Sequence, residues 1–98
     1  MGKLIRDDYW FKDLIPKDEI CLITPGSNFH IELLEAKLLE EFNELKETDF
    51  TDVEEYAAIL EVIESLAELK GISLEDIRQE VFEKRMEKGR LLHGVVLK

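Results

Sequence analysis

Residue types that constrain a fold covalently, or that place it in a membrane, are scarce in this 98-residue chain. Cys21 is the only cysteine, so no disulfide can form within the chain, and a reducing compartment is expected. No stretch approaches the roughly 18 consecutive apolar residues of a membrane-spanning helix. Residues 1–8 lack the apolar core of a secretory signal peptide. The sequence therefore predicts a cytoplasmic protein.

Positive charge is also scarce. The chain has 13 Lys and Arg residues against 23 Asp and Glu residues, which gives a net charge of -10. Nucleic acids and anionic membrane surfaces are bound through a basic footprint, so neither is an expected partner. A phosphorylated small molecule remains compatible with an acidic protein, because divalent cations can bridge the two.

The sequence has a clear helical periodicity over much of its length. Apolar residues recur at steps of three and four over residues 28–47, and again over residues 53–67. The first stripe is formed by Ile31, Leu34, Leu38, Phe42 and Leu45, and the second by Val53, Tyr56, Leu60, Ile63 and Ala67. Two long helices are predicted, with a short break at residues 48–51.

Capping residues mark the ends of these helices. Ser27 or Asn28 can cap the first helix, and Thr51 or Asp52 can cap the second. Gly71 is placed to end the second helix in a left-handed conformation. A third helix is predicted to begin after Ser73, which opens a capping box with Asp76, and to end at Gly89.

A single all-α domain is the predicted architecture for a chain of this length. Residues 1–27 form an N-terminal arm with a short helix, residues 28–89 the three main helices, and residues 90–98 a tail. The short connection predicts that the two long helices lie antiparallel as a hairpin, and the third helix is expected to close the core. Residues 20–24 are β-prone but have no obvious partner strand.

Self-association is expected because the hairpin is too small to bury both apolar sides of its helices. A domain of about 100 residues buries only about 60–65% of the surface of its unfolded chain. We therefore predict a homodimer or a higher homo-oligomer.

Carboxylates interrupt the apolar face of the first long helix. Glu41 and Glu44 are three residues apart, so their side chains point within about 60° of each other. Glu41 lies on the apolar seam between Leu38 and Leu45. A carboxylate there is costly unless something neutralises its charge.

The second long helix brings further carboxylates, Glu55 and Glu61. In an antiparallel hairpin Glu55 can face Glu41 and Glu44, and such carboxylates raise one another's pKa. Mg²⁺ prefers oxygen ligands and would relieve the repulsion. The alternative is a purely structural helical oligomer in which these carboxylates are solubilising charge, because acidic pairs are common on solvated helix faces.

Four segments in sequence resemble one known family. Residues 39–44, Leu-Glu-Glu-Phe-Asn-Glu, resemble the EExxE signature of the all-α nucleotide pyrophosphohydrolases, which include MazG-like and phosphoribosyl-ATP pyrophosphohydrolase-like proteins. Residues 54–62 resemble the second element of that family, usually ExxD. Residues 3–7, Lys-Leu-Ile-Arg-Asp, are similar to the KLVRD start of one subgroup, and residues 85–97 resemble its basic, glycine-containing C-terminal segment.

The resemblance implies a reaction and a set of site residues. Family members use Mg²⁺ to hydrolyse the bond between the α- and β-phosphates of a nucleoside triphosphate, and one expected role is clearing non-standard nucleotides. Glu41, Glu44 and Glu55 would be metal ligands, and Glu41 and Glu40 would be catalytic, with Glu40 as a ligand or an outer-shell base. The residues implied to contact phosphate are Lys3, Arg6, Lys84 and Lys88.

The sequence departs from the family pattern at Leu91 and Leu92, where relatives tend to carry an aromatic residue, in the apolar content of residues 9–24, and at one expected metal ligand. The aspartate of the ExxD element falls at Ala58, which has no ligand atom. Glu61 or a water molecule would have to take its place as a ligand. A second hypothesis follows from this substitution, in which the chain is a family member that has lost catalysis and serves as a nucleotide- or protein-binding module.

Overall fold

A computed structural model describes residues 2–98, so Met1 of the predicted arm lies outside the described residues. Within that range the chain is all helical, which confirms the predicted class, and residues 20–24 contain no strand. Its elements are α1 Asp8–Phe11, a short 3-10 helix Lys17–Glu19, α2 Asn28–Glu47, α3 Val53–Leu69 and α4 Leu74–Lys88.

Side-chain caps decide where the three long helices begin. Ser27 Oγ accepts a hydrogen bond from the backbone N–H of His30 at 3.2 Å. Asp52 Oδ1 accepts one from Glu54 N–H at 2.9 Å, and Ser73 Oγ accepts one from Asp76 N–H at 3.0 Å. Each bond satisfies a backbone donor that the first helical turn leaves without a partner. Of the alternatives that the sequence left open, the structure selects Ser27 and Asp52.

A tight turn reverses the chain between α2 and α3. Asp49 and Phe50 adopt positive φ angles of 55° and 62°, and Phe50 N–H donates to Leu45 O at 3.0 Å. Tyr56, in the first turn of α3, donates its hydroxyl hydrogen to Phe50 O at 3.0 Å. At the opposite end of the hairpin, Leu69 approaches Gly26, just before α2. The two long helices are therefore antiparallel, as predicted.

The core is small and belongs to the hairpin. The buried apolar side chains are Leu34 and Leu45 of α2 and Val62 and Ala67 of α3. Leu34, Leu45 and Ala67 lie on the predicted apolar stripes, and Val62 lies off them. The other four residues of the second stripe are exposed, because a helix in a two-helix hairpin buries only the strip that faces its neighbour.

The third long helix differs from expectation. The prediction that it closes the core is wrong, because α4 has no buried residue and only Leu74 and Ile77 are half-buried. Its sequence explains this, since charged residues such as Arg78, Glu80 and Lys84 surround its few apolar positions. Residues 90–98 follow it without regular secondary structure and are exposed.

The shape of the chain is extended for its size. Its principal dimensions are 53 × 32 × 25 Å and its radius of gyration is 16.8 Å, against about 13 Å for a compact domain of this length. None of the helices in residues 2–98 combines the length and the apolar character needed to cross a lipid bilayer.

Candidate metal centre

Glu41 is the only charged side chain that is buried among residues 2–98, with 7% of its surface exposed. It lies one helical turn before the buried Leu45 and two turns after the buried Leu34, so α2 directs it toward the core face. Burying a carboxylate without compensation is expensive. The helix period therefore places one charge where a neutralising partner is required.

Two further carboxylates converge on Glu41. Glu44 lies one turn further along α2, and Glu55 comes from the first turn of α3, which the tight hairpin turn brings alongside. Each of the three offers an oxygen, and these oxygens all lie within 4.8 Å of one another. Glu44 and Glu55 are half-buried. The hairpin thus assembles the three carboxylates that the sequence singled out.

The Glu55 carboxyl group lacks donors for one of its oxygens. Glu55 Oε2 is buried and has no hydrogen-bond partner among residues 2–98. A hydrogen bond to Glu41 favours the protonated form of Glu55, and burial and the charges of Glu41 and Glu44 act in the same direction. Together they raise the pKa of Glu55 to about 7. A proton or a metal cation would satisfy this oxygen.

Glu41 remains ionised because of the cations and protons around it. Burial raises the pKa of Glu41, but hydrogen bonds from the Glu55 carboxyl group and from Lys37, with the positive charge of Lys37, lower it by more. The pKa of Glu41 is therefore below its ordinary value. In the centre, the ionised Glu41 accepts a hydrogen bond from the protonated Glu55, an arrangement typical of coupled acidic groups.

Lys37 is a residue of this centre that sequence reasoning missed. It lies one turn before Glu41 on α2, and its Nζ is 3.2 Å from Glu41 Oε1 and 3.6 Å from Glu40 Oε2. The available signal was its spacing, since a lysine four residues before a carboxylate on the apolar seam shares the face of that carboxylate.

Glu40 and Glu61 lie beside the three-carboxylate centre and outside it. Glu40 is half-buried and pairs with Lys3, whose Nζ is 3.1 Å from Glu40 Oε1. Glu61 is exposed and lies 3.9 Å from Arg6. Glu61 was one of two predicted substitutes, with water, for the ligand that the resemblance implies at position 58, but it does not join the three converging oxygens.

A large cavity adjoins the centre. It has a volume of about 910 Å³ and lies between residues 3–9 of the N-terminal arm and the facing sides of α2 and α3. Lys3, Arg6, Lys37 and Glu41 line it at the polar end, whereas Leu34 and Val62 give it apolar walls. Ala58, the position at which the resemblance implies an aspartate, also lines this cavity.

His30 shapes the far end of the same cavity. It is half-buried, and its Nδ1 accepts a hydrogen bond from Gly26 N–H at 3.0 Å. The accepting nitrogen carries no hydrogen, so in the neutral ring Nε2 is the N–H donor. His30 thus takes part in the hydrogen bonds at the start of α2.

The structure does not bring Lys84 and Lys88 to this cavity. Both are exposed on α4, and Lys84 pairs with Glu80 at 3.9 Å. Lys84 lines a separate cavity of about 320 Å³ at the end of α4, together with Gly89 and Leu91. Of the four predicted phosphate contacts, only Lys3 and Arg6 line the cavity beside the centre.

The residues present fit a divalent cation that prefers oxygen ligands. Three carboxylates from α2 and α3 bring oxygens within 4.8 Å of one another. Glu41 also lines the cavity, which leaves room beside it for the phosphate or water ligands that Mg²⁺ commonly keeps. Comparisons of this chain with protein-family models, with curated proteins and with solved structures found no significant match.

Proposed function

We propose that this chain is a magnesium-dependent nucleotide pyrophosphohydrolase, which converts a nucleoside triphosphate to the monophosphate and pyrophosphate. One observation carries the proposal. The buried Glu41 meets Glu44 and Glu55 within 4.8 Å at the edge of a cavity of about 910 Å³, and one buried oxygen of Glu55 has no partner. The resemblance of residues 39–44 and 54–62 to the family signatures supports the same reaction.

The four carboxylates have two roles in this proposal. Glu41, Glu44 and Glu55 would hold Mg²⁺, which would supply neutralisation of phosphate charge and a lower pKa for the attacking water. Glu40 lies outside the ligand set and would accept the proton of that water. The water oxygen would bond to the α-phosphorus as the bond from that phosphorus to the α–β bridging oxygen breaks, and pyrophosphate would leave with that oxygen.

Lys3 and Arg6 place cations at the polar end of the cavity. They form ion pairs with Glu40 and Glu61, and the Lys3 and Arg6 side chains are 66% and 64% exposed. Such surface pairs contribute only about 0–1 kcal/mol, so a phosphate group can displace them at small cost. Ile5 and Tyr9, apolar side chains of the same cavity that remain exposed, would then contact the base or the sugar.

The second candidate function is a binding module that keeps the fold and has lost catalysis. Ala58 is the observation that favours it. Ala58 faces the cavity without a ligand atom, and Glu61 does not replace the aspartate in the converging set. In this case the chain binds a phosphorylated ligand through the same metal and does not turn it over.

Pyrophosphate release from a panel of canonical and non-standard nucleotides, with Mg²⁺, separates the two candidates. The native chain is expected to turn over at least one nucleotide. Glu41→Ala should lower the rate by more than the roughly 10–100-fold that loss of an outer-shell partner costs. Glu54→Gln, one residue before Glu55 and exposed, is the matched control and should retain native activity.

Ala58→Asp decides what an inert native chain would mean. If the native chain is inactive and Ala58→Asp gains pyrophosphate release, the scaffold is intact and catalysis has been lost. If neither protein is active and neither binds Mg²⁺, the enzyme proposal and the binding-module proposal both fail, and the acidic residues are surface charge.

A homo-oligomer is part of the same proposal. The chain exposes 8468 Å², whereas a compact monomer of its mass exposes about 5,800 Å². Large apolar side chains contribute to the excess, among them Val53, Tyr56 and Leu60 along one side of α3. Covering them with a second copy would complete the small core of the hairpin.

A further inference from the structure

Lys37 is exceptional among the cations of this chain. Every other Lys and Arg side chain in residues 2–98 is exposed, whereas Lys37 is half-buried, with 23% of its side chain accessible. It contacts Glu41, which alone among the charged residues of the described chain is buried, and it also reaches Glu40. A lysine loses hydration and side-chain freedom when it is held in this way.

Helix stability does not account for this placement. In an i,i+4 pair, a glutamate that precedes a lysine stabilises a helix more than the reverse order, and even the favourable order contributes only about 0.2–0.5 kcal/mol. Lys37 precedes Glu41, which is the weaker order. The position of Lys37 is instead explained by the buried carboxylate, which needs a cation whenever no metal is bound.

The Glu41 carboxylate cannot serve both cations equally. Lys37 Nζ lies 3.2 Å from Glu41 Oε1, and Glu41 is one of the three residues whose oxygens converge. A divalent cation on Glu41 would repel an ammonium group at this distance. The four-carbon stem of lysine lets its ammonium group move, and Lys37 already lines the cavity.

We propose that Lys37 is an exchangeable counter-cation, which neutralises Glu41 in the metal-free chain and binds a phosphate oxygen of the substrate once a divalent metal takes Glu41. This inference rests on the proposed function and names a phosphate-binding residue for it. It also predicts that metal binding and phosphate binding strengthen each other. Either ligand must break the ion pair between Lys37 and Glu41, so the ligand that binds second no longer has to break it.

Two titrations by calorimetry test this role without depending on turnover. The first measures Mg²⁺ affinity alone, and the second measures the affinity for inorganic tripolyphosphate at saturating Mg²⁺. Lys37→Met should bind Mg²⁺ several-fold more tightly than the native chain, because the competing cation is gone. It should bind tripolyphosphate about tenfold more weakly, because one charge-assisted hydrogen bond is lost.

Three further variants keep the test interpretable. Lys37→Gln also lacks the charge but retains a donor for Glu41, so it should follow Lys37→Met even if the methionine variant folds poorly. Lys37→Arg retains the charge and should stay close to native in both titrations. Lys46→Gln, which removes an exposed lysine from the same helix, should leave both affinities unchanged.

The outcomes separate this inference from the proposed function. Native affinity for tripolyphosphate in Lys37→Gln, or Mg²⁺ binding no tighter than native, would show that Lys37 only neutralises Glu41 within the fold. A native chain that binds neither Mg²⁺ nor tripolyphosphate would overturn the proposed function as well.

Discussion

At the scale of single residues, the proton on Glu55 governs the centre. Glu41, burial and Glu44 raise the pKa of Glu55 from its ordinary value of 4.5 to about 7. The folded, metal-free chain therefore holds a proton between these two pH values that the unfolded chain releases. By linkage, this group favours folding fully below its unfolded pKa, and that contribution is lost as pH rises to about 7.

Mg²⁺ binding should release this proton. At pH 6 Glu55 is mostly protonated, so close to one proton should leave as the metal binds, and affinity should rise between pH 6 and pH 8. Calorimetry in buffers with different ionisation enthalpies measures the proton count. Glu55→Gln should weaken binding and remove the pH dependence. Proton release that is equal at pH 6 and pH 8 would contradict the assignment.

At the scale of elements, the start of α3 positions the centre. Asp52 caps this helix through Glu54 N–H, and Glu55 lies in the same first turn. Since the first turn of a helix frays without its cap, the orientation of Glu55 depends on Asp52.

Asp52→Ala should therefore lower both the stability of the fold and its affinity for Mg²⁺. The loss of the cap is expected to lower the free energy of unfolding by about 1 kcal/mol. Mg²⁺ affinity should fall as well, because Glu55 is held less firmly. Ser73→Ala is the matched control: it removes the equivalent cap of α4 at similar cost and should leave Mg²⁺ affinity unchanged. Equal Mg²⁺ affinity in the two variants would show that Asp52 plays no part in the centre.

The elements also differ in what holds them. α2 and α3 bury side chains against each other, whereas α4 contributes no buried residue. α4 keeps its helical ends through the Ser73 cap and through Gly89, whose φ angle is 86°. Local capping therefore defines α4, and tertiary packing defines the hairpin.

At the scale of the whole molecule, exposed apolar surface is the dominant feature. Val53 is 75% exposed and Leu60 57% exposed, and together with Tyr56 and Ile63 they recur at steps of three and four on α3. Contiguous apolar stripes of this kind mark interaction sites. We expect a second copy of the chain to cover this stripe.

Leu60→Glu should dissociate the oligomer, because it places a charge in the middle of the stripe. Light scattering at micromolar concentration should report a dimer or higher oligomer for the native chain and a smaller species for the variant. Gln79→Glu adds the same charge on the exposed surface of α4 and should keep the native mass. A native chain that is monomeric under these conditions would rule out this assembly.

Helix boundaries and the all-α class were predictable from the sequence, because periodicity and capping are local properties of the chain. The predicted helix over residues 28–47 matches α2, and Ser73 and Gly89 bound α4 as their residue types indicated. The same periodicity placed Glu41 on the apolar seam, since three and four residues separate it from Leu38 and Leu45. The role of α4 was not predictable, because packing depends on which surfaces meet.

The sequence by itself determined the helices, their antiparallel order and the carboxylates that face the core, since these follow from short spacings along the chain. Only the tertiary structure decided which groups share the centre. Glu55 joins Glu41 and Glu44 while Glu61 pairs with Arg6, because the turn at residues 48–52 sets the register between α2 and α3. Lys37 lines the cavity and Lys84 does not, because long-range packing places α2 beside the N-terminal arm and leaves α4 outside it.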